Sequence, residues 1–193
     1  MGITIHYHGS LNDVSEIDNF CEEMADISRE MDWDYREIDD VLFKDRIHYK
    51  GIITRPHPDS ESLTFVFDDE GFLTNYFLLK VSDRPDKFAR NLFIKTQFAP
   101  PEIHVTIIKL LKYFKKKYFS NLDVHDEGDY WEKEDYDLLC SKIKFLSEKI
   151  DQVTDALSQI KTTESENYHS LMNRIEEVLK KRFGSKGNQS DKS

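Results

Sequence analysis

Residues 92–119, LFIKTQFAPPEIHVTIIKLLKYFKKKYF, decide the fold that the sequence predicts. The first seven residues are mostly apolar and are typical of a strand. Pro100 and Pro101 end that strand, because proline has no backbone N–H for a sheet ladder but is accepted in the first turn of a helix. Apolar side chains then recur every three or four positions, at Ile103, Ile107, Leu111, Phe114 and Tyr118. This spacing predicts an amphipathic helix that covers a sheet and closes the core.

The composition predicts one folded domain with an appendage. The chain has 193 residues, of which 38% are hydrophobic and 33% are charged. That length accommodates a domain of about 130 residues and a further polar segment. The apolar runs are shorter than the roughly 18 residues of a membrane span, and the N-terminus lacks the layout of a signal peptide. Two cysteines, Cys21 and Cys140, are too few to indicate a disulfide framework, so we expect a cytoplasmic protein that does not associate with membranes.

Charge is distributed unevenly along the chain. The net charge is −10, with acidic residues concentrated at 11–40 and 120–137 and basic residues concentrated at 80–117. A negative net charge argues against nucleic acid as a partner. The basic zone could pair with the acidic zones of the same chain, with a second copy, or with an anionic partner. We interpret the lysines at the end of the 101–119 helix as a solvated face, favourably placed at the negative end of the helix dipole.

The segments before residue 92 predict most of a sheet. Apolar and polar residues alternate at 3–9, as in a half-buried strand, and Asp13 can cap a helix that extends to Met31. A second strand at 33–38 would complete a β-α-β opening. Residues 68–71 predict a hairpin loop in which Gly71 adopts a positive φ. Further strands are predicted at 50–55, 63–67, 72–80 and 92–98.

The C-terminal part of the chain has the spacing of a coiled coil. Seven apolar residues recur alternately four and three positions apart, which is a heptad pattern. They are Leu139, Ile143, Leu146, Ile150, Val153, Leu157 and Ile160. β-branched residues at the a positions favour a parallel dimer. A polar interruption at 161–167 leaves open whether this part forms one long helix or a helical hairpin.

These observations predict an α+β fold. We expect a mostly antiparallel five- to six-stranded sheet covered by two helices, followed by a long C-terminal helix or helical hairpin of coiled-coil type. The predicted organisation is an α+β domain at 1–121, an acidic connector at 122–133, a helical coiled-coil or hairpin segment at 134–183, and a disordered tail at 184–193.

Histidine provides one candidate for metal chemistry. His6 and His8 are two positions apart on one predicted strand, so both side chains would project from the same face. His57 and Asp59 follow another strand, where functional residues often gather. Together these four residues could bind Zn²⁺ or Fe²⁺ with an open position for water, as in metal-assisted hydrolysis. The alternative is that they are surface histidines and a turn.

Other motifs are incomplete. The stretch from His104 to Thr106 resembles half of the His-x-Thr signature of two-histidine phosphoesterases, but there is no second such element, so we interpret His104 as a helix N-terminal residue. Residues 123–134 resemble an EF-hand calcium loop, although His125 departs from its pattern, and we favour an acidic connector. Cys21 lies on the apolar face of its helix and is predicted to be packed rather than reactive.

The stretch KTQFAPPEIHVTIIKLLKYFKKKYF at 95–119, followed by EGDYWEKED at 127–135, resembles a group of small bacterial proteins to which no activity is attached. The resemblance implies an intracellular bacterial protein and brings no site with it.

The sequence therefore predicts a non-enzymatic, cytoplasmic protein–protein interaction or regulatory protein without a cofactor. We expect it to form a homodimer, or to bind a protein partner, through the seven apolar heptad residues. The alternative function is a metal-dependent hydrolase that uses a divalent metal ion held by His6, His8, His57 and Asp59.

Overall fold

The computed structural model describes residues 3–42, 47–81, 87–158 and 177. The chain divides into two compact units, Met1–Ile143 and Lys144–Ser193. The predicted α+β class is confirmed in the first unit. Among the described residues, no helix is long and apolar enough to cross a membrane.

Three antiparallel strands form a first sheet, which we call sheet 1. They are β1 (Thr4–Leu11), β5 (Leu92–Lys95) and β6 (Phe119–Asp126), in the order β5-β1-β6. Side chains alternate along β1 as predicted, because Ile5 and Tyr7 are buried whereas His6 and His8 are exposed. One face of sheet 1 therefore lines the core and the other meets solvent.

Three further antiparallel strands form sheet 2. They are β2 (Asp34–Leu42), β3 (Ile47–Arg55) and β4 (Leu63–Phe67), in the order β2-β3-β4. The strands predicted at 50–55 and 63–67 are confirmed. Gly71 has φ = 80°, so its predicted positive φ is confirmed as well.

The prediction of one five- to six-stranded sheet was wrong, because the described strands form two sheets of three. The β-α-β opening was also wrong, since β1 and β2 lie in different sheets. The Tyr7 hydroxyl lies 2.9 Å from both the backbone nitrogen and the carbonyl oxygen of Thr64 in β4. A side chain, rather than a strand ladder, thus joins the two sheets at this point. Local alternation predicts a strand but not its neighbour.

The strand predicted at 72–80 was also wrong. Phe72 and Leu73 form only isolated bridges, and the chain then turns into helix α2 (Tyr76–Val81). The Asn75 side-chain oxygen accepts a hydrogen bond from the Leu78 backbone N–H at 3.1 Å, which caps this helix. A short apolar run is compatible with either a buried strand or a buried helix, so the pattern alone could not distinguish them.

Four other α-helices and two short 3-10 turns, at Val14–Glu16 and Lys87–Arg90, complete the described structure. The α-helices are α1 (Ile17–Glu30), α3 (Pro101–Lys117), α4 (Tyr130–Lys133) and α5 (Tyr136–Ser158). The Asp13 carboxylate accepts a hydrogen bond from the Ser15 backbone N–H at 2.9 Å, in a single 3-10 turn that leads into α1. Pro101 is the first residue of α3. The predicted helix start and the predicted core helix are therefore confirmed.

Aromatic rings form the centre of the core. The Phe20 ring of α1 lies 4.6 Å from the Phe114 ring of α3 and 5.1 Å from the Phe65 ring of β4. Both helices thus pack on the same side of sheet 2. Ile53 and Val66 point the other way, into a smaller cluster with residues of α2. Sheet 2 is consequently covered on both faces, which explains why all of β4 is buried.

The domain boundaries at 121 and 133 stay a prediction. Residues 122–133, predicted as an acidic connector, hold the end of β6 and all of α4. Strand β6 pairs with β1 along most of its length, so residues 122–126 are part of sheet 1. Ile160, predicted as a heptad residue, and the tail at 184–193, predicted to be disordered, lie outside the described residues.

Candidate functional site

The four residues predicted to bind a metal ion lie in two places. His6 and His8 are on the exposed face of β1. His57 and Asp59 are in the turn after β3, where His57 Nδ1 accepts a hydrogen bond from the Asp59 backbone N–H at 3.0 Å. Within the described residues, no three histidine, cysteine, aspartate or glutamate side chains are positioned to hold a metal ion as they stand.

The cross-strand neighbours of His6 and His8 are residues of β6. His6 is directly opposite His125, with ring centres 6.0 Å apart, and His8 is directly opposite Asp123. His8 Nε2 lies 3.3 Å from Asp123 Oδ2. All four side chains are exposed. We call His6, His8, Asp123 and His125 the histidine face.

Another histidine, His104, is enclosed within the domain. His104 in the first turn of α3 is fully buried, and its Nδ1 lies 2.7 Å from the Thr96 hydroxyl oxygen. Its Nε2 lies 3.1 Å from Asp126 Oδ1, without the alignment of a hydrogen bond. A carboxylate at this position favours a proton on Nε2, so that Nδ1 accepts a hydrogen bond from Thr96. We call Thr96, His104 and Asp126 the buried polar cluster.

Asp126 joins the cluster to the start of α4. Its Oδ1 accepts a hydrogen bond from the Gly128 backbone N–H at 2.7 Å, and its Oδ2 accepts one from the Trp131 backbone N–H at 2.9 Å. Burial pushes the pKa of the Asp126 carboxyl up, but the His104 ring and these two N–H groups outweigh it. The pKa is therefore lower than its ordinary value, and the carboxylate is charged at neutral pH.

The buried polar cluster has a structural role in this arrangement. The His104 and Asp126 side chains are 0% and 1% exposed, so no substrate can reach them. They connect α3 with the end of β6, and through Trp131 with α4. Sequence reasoning placed His104 near a helix N-terminus but missed its burial. The sequence did contain a signal for this burial, because His104 lies three residues before Ile107, in line with the apolar stripe of α3.

The basic zone of α3 is paired with acidic residues of the same chain. Lys112 contacts Glu134 at 2.5 Å, and Lys117 contacts Glu23 of α1 at 2.9 Å. Lys112 and Lys115 also lie over the Trp131 ring, at 5.4 and 5.5 Å from its centre. Internal pairing, one of the three alternatives left open by the sequence, therefore accounts for Lys112 and Lys117.

Two other motifs do not form sites. Strand β6 extends to Asp126, so Asp123 and His125 belong to a strand and the EF-hand-like loop is not formed. Cys21 is buried on α1, and burial raises the pKa of its thiol to about 12. A thiol with so high a pKa is a poor nucleophile, which agrees with the prediction that Cys21 is packed.

The described heptad residues lie on α5. In the first unit, Leu139 is fully buried and Ile143 is half-buried. In the second unit, Leu146, Ile150 and Val153 are half-buried on one helical face. The surroundings of Leu157 and Ile160 lie outside the described residues. The apolar spacing thus falls on a continuous helix, and several of its side chains retain exposed surface.

The chain matches no protein-family model, no curated protein and no solved structure.

Proposed function

We propose that this chain is a non-enzymatic, cytoplasmic interaction protein that forms a homodimer through α5. The proposal rests on one observation. Helix α5 is continuous from Tyr136 to Ser158, and after the fully buried Leu139 its described heptad side chains are only half-buried. Two helices with this spacing can interdigitate their a and d residues and cover the remaining apolar surface.

Burial of apolar surface would supply the free energy of dimerisation. Moving a half-buried isoleucine or leucine into a helix–helix seam contributes about 1 kcal/mol, so a few such residues in each chain can support a dimer. A second copy presents the same spacing and is therefore a partner of matching geometry. The two identical helices would form an interface that needs no catalytic group.

The alternative function is a metal-dependent hydrolase that uses His57 and Asp59 with the β1 histidines. The described contacts do not support it. His57 Nδ1 is engaged by the Asp59 backbone N–H. The turn that holds them is stabilised internally, since the Ser60 hydroxyl donates to the His57 carbonyl oxygen at 3.0 Å.

The test is the mass of the full chain in solution, measured by sedimentation velocity over a range of concentrations. We expect the wild type to reach twice the chain mass of 22.9 kDa. Ile150→Asp places a charge in the seam and should yield monomers. The matched control Gln152→Asp adds the same charge on an exposed position of the same helix and should remain dimeric.

Circular dichroism of both variants checks that α5 is retained. A wild-type protein that stays monomeric at every concentration would overturn the proposal. So would an Ile150→Asp variant that dimerises as strongly as the Gln152→Asp control.

A further inference from the structure

The register of β1 and β6 gathers three imidazoles and a carboxylate on one surface. His6 opposes His125 and His8 opposes Asp123, and all four side chains point away from the core. Directly opposed residues in an antiparallel pair have Cβ atoms about 4.5–5.5 Å apart, and diagonal neighbours are within reach of long side chains. Each of the four residues is therefore next to at least two of the others.

The distances are close to those of ligands around one ion. His8 Nε2 and Asp123 Oδ2 are 3.3 Å apart. Two ligand atoms at about 2.0–2.2 Å from a tetrahedral ion are about 3.4 Å apart. The His6 and His125 rings are 6.0 Å apart, whereas imidazoles on a shared ion have centres about 5 Å apart. Since these side chains are exposed, rotation about their χ angles can close the remaining gap.

We propose that the histidine face binds one Zn²⁺ ion, with His6, His8 and His125 as nitrogen ligands and Asp123 as the fourth, carboxylate ligand. The four side chains must rotate for the site to form, whereas the backbones of β1 and β6 remain in place. It is a different set from that predicted from the sequence, because His125 and Asp123 replace His57 and Asp59.

The ligand types favour Zn²⁺ over hard cations. Three imidazoles and one carboxylate suit Zn²⁺, which prefers four nitrogen, sulfur or oxygen ligands in a tetrahedron. Hard cations such as Mg²⁺ and Ca²⁺ require mostly oxygen ligands and do not fit this set. The Phe93 ring lies 6.2 Å from the His6 ring on the side away from His125. Phe93 thus provides an apolar neighbour on one side of the proposed site.

The test is Zn²⁺ binding to the full chain without an affinity tag, measured by isothermal titration calorimetry at neutral pH. We expect one ion per chain. His6→Ala, His8→Ala and His125→Ala should each weaken binding by at least about 10-fold, because each removes a ligand. His57→Ala should leave the affinity unchanged. His48→Ala is the matched control, since His48 forms an isolated pair with Asp39 on sheet 2.

A second measurement uses Co²⁺, whose visible absorption is intense only in tetrahedral coordination. The wild type should show this absorption, and Asp123→Asn should reduce it. The proposal is overturned if the wild type binds less than one Zn²⁺, or if His125→Ala binds as well as His57→Ala. The Ile150→Asp variant should still bind one ion per chain, so failure of the dimer proposal and failure of the zinc proposal are distinguishable.

Discussion

Among single residues, Asp126 has the most unusual environment for a charged group. Its carboxylate is almost completely buried, and it interacts with His104, Gly128 and Trp131. Burying a charge is costly unless it is paired and hydrogen-bonded, and here each carboxylate oxygen has a backbone donor. The local sequence around 126 shows only an acidic stretch, which is why it predicted a connector.

Asp126→Asn should lower the free energy of unfolding at pH 7 by about 1.5–3 kcal/mol, because hydrogen bonds to the charged form are lost. The pKa of Asp126 is lowered in the folded state. Its stabilisation is therefore complete above the pKa of an unfolded aspartate, about 3.9, and is lost as the pH falls through the lower folded pKa. Urea unfolding of both proteins from pH 7 to pH 3 measures the difference, which should shrink below about pH 4.

Asp123→Asn is the matched control, since Asp123 lies on the same strand with its side chain 74% exposed. In metal-free buffer it should change stability by less than about 0.5 kcal/mol. A difference between wild type and Asp126→Asn that does not depend on pH would contradict the assigned role of the charge.

At the scale of elements, strong local signals predicted α1, α3, β3 and β4, whereas α2 was mistaken for a strand. The run FLTNYFLLK at 72–80 has apolar residues at both odd and even positions, so it has no clear period of two or 3.6. What selects the helix is the Asn75 cap together with burial of Tyr76 and Leu79, three positions apart. A local pattern records neither the capping hydrogen bond nor the tertiary burial of these two side chains.

Asn75→Ala should destabilise the protein by about 1 kcal/mol, because the Leu78 backbone N–H loses its capping acceptor. Asn75→Asp keeps an acceptor at the same position and should cost much less. Thermal unfolding followed by circular dichroism compares the two. Equal losses for both variants would show that the side-chain oxygen does not cap α2.

Across the whole molecule, the two sheets are joined through Tyr7. Its hydroxyl bonds with both the N–H and the carbonyl of Thr64, 57 positions away, inside the core. Burial raises the pKa of the Tyr7 hydroxyl well above its ordinary value. The group therefore stays neutral and can both donate and accept, as an edge strand would.

Tyr7→Phe should lower the free energy of unfolding by about 1–3 kcal/mol, since it leaves two buried backbone groups without partners. Tyr35→Phe, at an exposed position of β2, should change it by less than about 0.5 kcal/mol. Denaturant unfolding of the two variants gives the comparison. If both variants were equally stable, the hydroxyl would not link the sheets.

The sequence by itself determined the local elements. The proline pair set the start of α3, the apolar spacing set the buried faces of α1 and α3, and Gly71 set a turn. These features depend on backbone geometry and on neighbours within a few positions, which a local pattern records.

Only the tertiary structure decided which distant residues meet. It divided the strands between two sheets, placed His125 beside His6, and enclosed His104 with Asp126. The pairing of one strand with another depends on how the whole chain buries its apolar surface. Residues more than a hundred positions apart carry no local sign of that choice, so the histidine face became visible only in the fold.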